Sequence, residues 1–288
     1  LHIERKITLK KRIITGVLAS AFFIAMLLGL YTRIFPLFVC LLSGIAVFEI
    51  NKVIDLKYKP LRTLSLLMAA ILPLCITYVH FFRFFPFIII YVILMLSWML
   101  GDYEHTKFTT VASSIFASIS VPFALTVMVL LRDLFYKYPN KFSRYDGLYF
   151  LIMALFCAWM TDIFAYFVGV KFGKHKMSPN ISPKKSVEGA IGGIIGCVLL
   201  NVALCAVFRA YFPGKSPFMS YIAAVPLSAV LSVTGMLGDL SASVIKRNFG
   251  VKDYGNILPG HGGVMDRFDS VIFVLPVLYA IIMMWIHA

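Results

Sequence analysis

The chain has 288 residues, of which 60% are hydrophobic and 14% charged, and its mean hydropathy is +0.89. A water-soluble domain carries roughly a quarter charged residues, so this composition excludes a soluble globule and defines an integral membrane protein. The net charge of +14 is the signature of loops that orient spans and attract anionic lipid, and no nucleic-acid partner is needed to explain it.

Nine apolar spans are predicted, near 14–31, 34–51, 61–80, 84–100, 107–131, 148–171, 187–211, 221–246 and 268–287. Their runs are apolar on every side. They therefore read as closed helices, since lipid cannot satisfy open backbone groups and a barrel would alternate polar with apolar residues. The fold class is all-α: a polytopic membrane protein of about nine transmembrane helices. The basic stretch Arg5, Lys6, Lys10, Lys11 and Arg12 before the first run resembles a signal peptide. No small-residue cleavage site precedes the next span, so the run is read as the first helix. The first two spans meet so closely at Thr32-Arg33 that they form a hairpin or a partly re-entrant pair.

Lysines and arginines in alternate loops number nineteen on one side and eight on the other. By the positive-inside rule the N-terminus is cytoplasmic and the C-terminus outside. The loop bearing Arg132, Lys137, Lys141 and Arg144 runs against this bias. Three regions are expected: N-terminal helices over 1–105, a middle helix and connecting loop over 106–146, and a catalytic transmembrane domain over 147–288. The five cysteines (Cys40, Cys75, Cys157, Cys197 and Cys205) all lie in apolar runs and form no CxxC, which argues against a disulfide framework or a zinc site.

Chemistry-bearing residues follow in chain order. Glu49, late in the second span, reads as a snorkelling or pairing acid, and Phe81, Phe82, Phe84 and Phe85 as an interfacial belt. Asp162 is an ionisable group inside the sixth span, on one face with Tyr166 and Gly169. It is either paired for packing or functional, and a charge costs enough in lipid to favour function. In Ser182-Pro183-Lys184-Lys185-Ser186-Val187-Glu188-Gly189, Ser186 is a plausible N-cap and Glu188 suits the first turn. The two lysines are a charged flank that would also make an anion site beside a helix start. Asp239 lies inside the eighth span, and Ser232, Asp239, Ser243 and Lys246 share one helical face. Close packing accounts for Gly235 and Gly238 but not for an acid in line with a lysine.

Beyond that span, Lys246, Arg247, Lys252 and Arg267 supply phosphate-neutralising charge. Pro259-Gly260-His261-Gly262-Gly263 is a turn with more glycine than a turn needs, as a phosphate cradle would have. Asp266 and Asp269 share a face if helical. Alone they complement a helix start, and together with Asp239 they would need a cation to offset their mutual repulsion. The loops 172–186 and 247–267 face the same side, so a site at the cytoplasmic surface follows if they meet.

At these residues the chain resembles the phosphatidate cytidylyltransferases (CDP-diacylglycerol synthases). Every fixed position of that family's signature is matched: Ser243-x2-Lys246-Arg247-x4-Lys252-Asp253-x-Gly255 (a glycine or serine position)-x2-apolar-Pro259-Gly260-His261-Gly262-Gly263-apolar-x-Asp266-Arg267-apolar-Asp269. A second region, Asp162 to Gly193, is also similar, with Ser186-Val187 where Thr-Trp is expected. The resemblance covers about 156–269. It implies transfer of CMP from CTP to phosphatidic acid, giving CDP-diacylglycerol and pyrophosphate, with Mg²⁺ and an open alternative of a second cation. It also implies Asp239, Asp266 and Asp269 as metal ligands and Asp162 as a further polar contact. Lys184, Lys185, Lys246, Arg247, Lys252 and Arg267 would contact phosphates, with Ser243 and the Gly260–Gly263 turn, His261 included, contributing to substrate binding. A homodimer is an expectation at the family level. Two other readings compete: a transporter of an anionic substrate, which also carries intramembrane acids, and a CTP-dependent lipid kinase.

Overall fold

The computed structural model describes residues 16, 21–79, 81–212, 214–260 and 262–287. The basic N-terminal stretch, much of the first predicted span and His261 lie outside the described residues. Among the described residues, eight helices are long and apolar enough to cross a membrane, and the protein is an all-α polytopic membrane protein. Their bounds fall within a few residues of the second to ninth predicted spans.

The chain divides into two compact units, Leu1–Val129 with Asn248–Phe268, and Leu130–Arg247 with Asp269–Ala288. In the first unit lie α1 (Ile34–Val53), α2 (Lys59–Tyr78), α3 (Phe81–Met99) with a 3-10 turn at Leu100–Asp102, and most of α4 (Phe108–Arg132). The join before α1 is a tight turn in which Thr32 donates to the Gly29 carbonyl from both its N–H and its hydroxyl, at 2.9 and 2.6 Å. Apolar contact cannot by itself draw helices together out of lipid, so interhelical hydrogen bonds add specificity. Buried Asn51 supplies two: its amide donates to Ser65 Oγ at 2.7 Å, and its oxygen accepts from Ser114 Oγ at 2.8 Å, linking α1, α2 and α4. Tyr91 and Ser118 join α3 to α4 at 2.5 Å.

The second unit holds a short helix α5 (Leu134–Lys137), α6 (Arg144–Phe172), strands β1 (Lys176–Ser178) and β2 (Ser182–Ser186), then α7 (Val187–Tyr211) and α8 (Tyr221–Asn248). After α9 (Met265–Phe268), which is in the first unit, the chain re-enters the second as α10 (Val271–His287). The segment read as a loop before the seventh span is a small antiparallel hairpin of β1 and β2. Fully buried Asp146, at the start of α6, accepts from the backbone N–H groups of Ser143, Lys215 and Ser216 at 2.6, 3.0 and 3.1 Å, fixing the loop that leads into α8.

Helices α6 and α7 approach closely because α7 presents small residues. A Cβ on Gly189 would lie 2.7 Å from the Ala165 carbonyl oxygen, and one on Gly193 would lie 2.7 Å from that of Thr161. Four residues apart, these glycines form the small-xxx-small seam that lets membrane helices touch backbone to backbone. On α8, Gly238 lies against the backbone of Asp269 and the ring of Phe273, which brings α8 beside the start of α10.

Candidate active site

The hairpin delivers the site's central cation. β2 ends at Ser186, whose hydroxyl accepts from Gly189 N–H at 3.2 Å and starts α7 as the sequence predicts. Glu188, in the first turn, reaches back to the N–H groups of Lys174 and His175 at 3.0 and 3.2 Å, and to the His175 ring at 2.5 Å. With the hairpin held at its base, Lys185 points between α6 and α8. Its ammonium lies 3.0 Å from Asp162 Oδ1 and 2.5 Å from Asp239 Oδ2, so the two intramembrane acids share one lysine. Burial would lower the Lys185 pKa, but the charges of Asp162 and Asp239 outweigh it and hold the amine above its ordinary value. Lys185 is therefore a cation shared by two carboxylates, while Lys184 next to it is exposed.

These residues line a cleft of about 670 Å³ within the second unit. Its lining includes the polar residues Asp162, Asp239, Ser182, Lys176, Lys184 and Lys185 together with Tyr166, Val170, Met177, Ala190 and Met236. Charged and apolar side chains thus line the same cleft. In the same unit, buried Lys246 lies 3.8 Å from Asp269 Oδ2, at the join of α8 and α10. The carboxylates of Asp162, Asp239 and Asp269 are near enough to repel one another. The face predicted from Ser232, Asp239, Ser243 and Lys246 is realised, with Ser232 and Lys246 buried and Asp239 and Ser243 half-buried. Arg247 is exposed at the end of α8.

The glycine-rich loop belongs to the first unit. Gly260 and Gly262 have φ of 80° and 81°, a left-handed backbone that glycine adopts without strain. Leu258 N–H donates to the Gly262 carbonyl at 3.0 Å and closes the turn. Asp266 Oδ2 accepts from the N–H groups of Tyr254 and Gly263 at 2.8 and 2.9 Å, so this acid organises its own loop. Lys252 and Arg267 are exposed.

Glu49 is the residue that sequence reading under-used. Within the first unit, its buried carboxylate accepts from Val264 N–H at 3.0 Å and Met265 N–H at 2.8 Å. The available signal was an acid late in an apolar span, with Lys52 one helical turn on as the only obvious partner on its own helix. Nothing in the sequence named a backbone segment more than two hundred residues away as its partner.

Among the described residues, no three of His, Cys, Asp and Glu converge closely enough to hold a metal ion by themselves. The oxygen-only donor set nevertheless fits Mg²⁺, which binds through one or two carboxylates and completes its shell with water and substrate phosphates. Asp239 and Asp269 are the acids of the second unit that fit that role.

Apolar spanning helices, with acids inside them tied to lysines beside a cleft, define a polytopic membrane protein with a charged site among its helices. The chain matches the model of the cytidylyltransferase family over residues 10–285, and it belongs to that family. It is 34% identical to a phosphatidate cytidylyltransferase of Bacillus subtilis over 278 residues, which cover 95% of this chain and 97% of that protein. Phosphatidate cytidylyltransferases of Staphylococcus aureus (strain COL) and Staphylococcus haemolyticus are 46% and 47% identical over 136 residues, 47% of this chain and 50% of theirs.

Proposed function

We propose that the protein is a CTP:phosphatidate cytidylyltransferase. A phosphate oxygen of phosphatidic acid attacks the α-phosphorus of CTP. The bond from that phosphorus to the bridging oxygen breaks, and CDP-diacylglycerol and pyrophosphate leave. The carrying observation is the cleft in which Asp162 and Asp239 share Lys185 beside exposed Lys176 and Lys184, in a chain related along its length to a phosphatidate cytidylyltransferase.

The nucleophile is already ionised, so no strong general base is required. The barrier is the approach of two anions, and fixed cations lower it best where water is excluded. Lys176 and Lys184 neutralise phosphate at the cleft, and the apolar residues of its lining accommodate the hydrocarbon of the lipid. Lys185 holds Asp162 and Asp239 in place. Asp239 and Asp269 would hold Mg²⁺, and the ion when bound supplies charge neutralisation and alignment of the phosphates. The loop excess of Lys and Arg supports a site on the cytoplasmic side of the cell membrane.

The test is purified protein with CTP labelled in the α-phosphate and phosphatidic acid in mixed micelles. Label is expected in a CDP-lipid, with pyrophosphate released. Release of CDP with a phosphorylated lipid would identify a kinase instead. Uptake of an anion into vesicles without nucleotide turnover would identify a transporter.

A further inference from the structure

We propose that Glu49 is a positioning residue for the glycine-rich loop: its carboxylate is the fixed acceptor around which Gly255 and the segment 263–265 are shaped. Glu49 is 2% exposed, and each of its oxygens takes one backbone N–H, Oε1 from Val264 and Oε2 from Met265. Adjacent N–H groups call for an acceptor with two oxygens and no donor. A carboxylate has both properties, whereas a glutamine would turn an NH₂ toward one of them. The loop is cut to fit this acid. Gly255 and Gly263 both face the Glu49 carboxylate, and a Cβ on either would collide with it. Neither glycine has a left-handed φ, so what each supplies in this chain is space beside the carboxylate, not backbone freedom.

A second clamp works from inside the loop. Asp266 accepts from Tyr254 and Gly263, so Gly263, Val264 and Met265 donate in succession to two carboxylates. Asp266 is thereby oriented by the same turn that Glu49 fixes. A buried acid serving packing alone would not explain why two separated glycines open toward it.

This inference rests on the proposed cytidylyltransferase reading for its consequence in activity, but not for its geometry. The test uses full-length protein in lipid nanodiscs, with Glu49→Gln as a near-isosteric variant. Hydrogen exchange is expected to speed up about tenfold or more at the Val264 and Met265 amides. The amides held by Asp146 in the other unit should keep their protection. CDP-lipid formation should fall at least tenfold, and Glu49→Asp, too short to reach both donors, should recover little of it. Gly263→Ala should be as damaging as Glu49→Gln, and the double variant no worse than the worse single one. Unchanged exchange at 264 and 265, protection lost evenly along the chain, or effects that multiply in the double variant would each overturn the proposal. If the wild type makes no CDP-lipid while the exchange pattern holds, the functional reading fails and the positioning role stands.

Discussion

Replacing Lys185 with methionine keeps the length of the side chain and removes its charge, leaving Asp162 and Asp239 to face each other. At an effective dielectric constant of about 20, ion pairs at 3.0 and 2.5 Å have gross Coulomb energies of about 5–7 kcal/mol each. Most of that is cancelled. The lysine lost its hydration on burial, and the Asp162 side chain is 40% exposed and that of Asp239 21%, so solvent screens both contacts. A net loss of about 3 kcal/mol for the bridge lies between the values for exposed pairs and for broken buried ones. If that energy holds the acids where the reaction needs them, kcat/KM for CDP-lipid formation falls about a hundredfold. Lys185→Arg, still cationic, should retain more activity than Lys185→Met. In a double-mutant cycle, Asp162→Asn should cost little once Lys185 is gone. The assay is initial rate against CTP in mixed micelles, with thermal unfolding alongside. A Lys185→Met protein within threefold of wild type, or additive effects of the two substitutions, would refute the bridge as an organising element.

Other outcomes follow from the same geometry. Because Lys185 titrates above its ordinary value of 10.5, its bridge is intact below that pH and is lost only as pH rises through the raised value. Activity lost between pH 8 and 10 should therefore be the same in wild type and Lys185→Arg. In amine acylation at pH 9, Lys185 should react far more slowly than exposed Lys184, and Asp239→Asn should narrow the gap. Asp239→Ala should abolish CDP-lipid formation while the protein still inserts, and excess chelator should silence the wild type. Full activity in either case rejects the metal assignment. Gly193→Val pushes a branched side chain at the Thr161 carbonyl and should cost about 1–3 kcal/mol or prevent folding, read as a lower unfolding temperature in detergent. Ser186→Ala removes the acceptor for Gly189 N–H and should cost about 1 kcal/mol, with Lys185 less firmly held.

The helices were legible because hydropathy in lipid is a one-dimensional signal. The seventh span was expected at 187–211 and is α7 at Val187–Tyr211, with Ser186 as the predicted cap. Asp162 and Asp239 were legible as special because a charge in an apolar run has a cost that something must offset, and Lys185 is what offsets it. The hairpin of β1 and β2 was not legible, since Ser182-Pro183-Lys184-Lys185-Ser186 has neither alternation nor β-branched residues. Its pairing comes from the anchoring of its base by Glu188, a tertiary effect. The sharing of Lys185 between two carboxylates, with its neighbour Lys184 left exposed, was equally hidden, because the sequence did not show where this segment folds back. Glu49 was hidden for a different reason, because its partners are backbone N–H groups and a backbone donor leaves no mark in a sequence.

Charge explains why the site combines acids with so many cations. Of the charged residues lining the cleft, three are lysines and two are aspartates, so its lining is net +1 and attracts phosphate. Asp269 is paired with Lys246, so that lysine's charge is already matched by an acid. CTP and phosphatidic acid together carry more negative charge than one net cation can offset. A protein that met the whole demand with fixed lysines would bind its products as tightly as its substrates. In the proposed reading, acids that hold an exchangeable cation would avoid that trap, since such a charge need not stay with the protein. The site should therefore lose affinity for pyrophosphate when divalent ions are removed, by more than it loses affinity for phosphatidic acid. Equilibrium binding of the two ligands with and without Mg²⁺ measures this, and equal losses for both would refute the division between fixed and exchangeable charge.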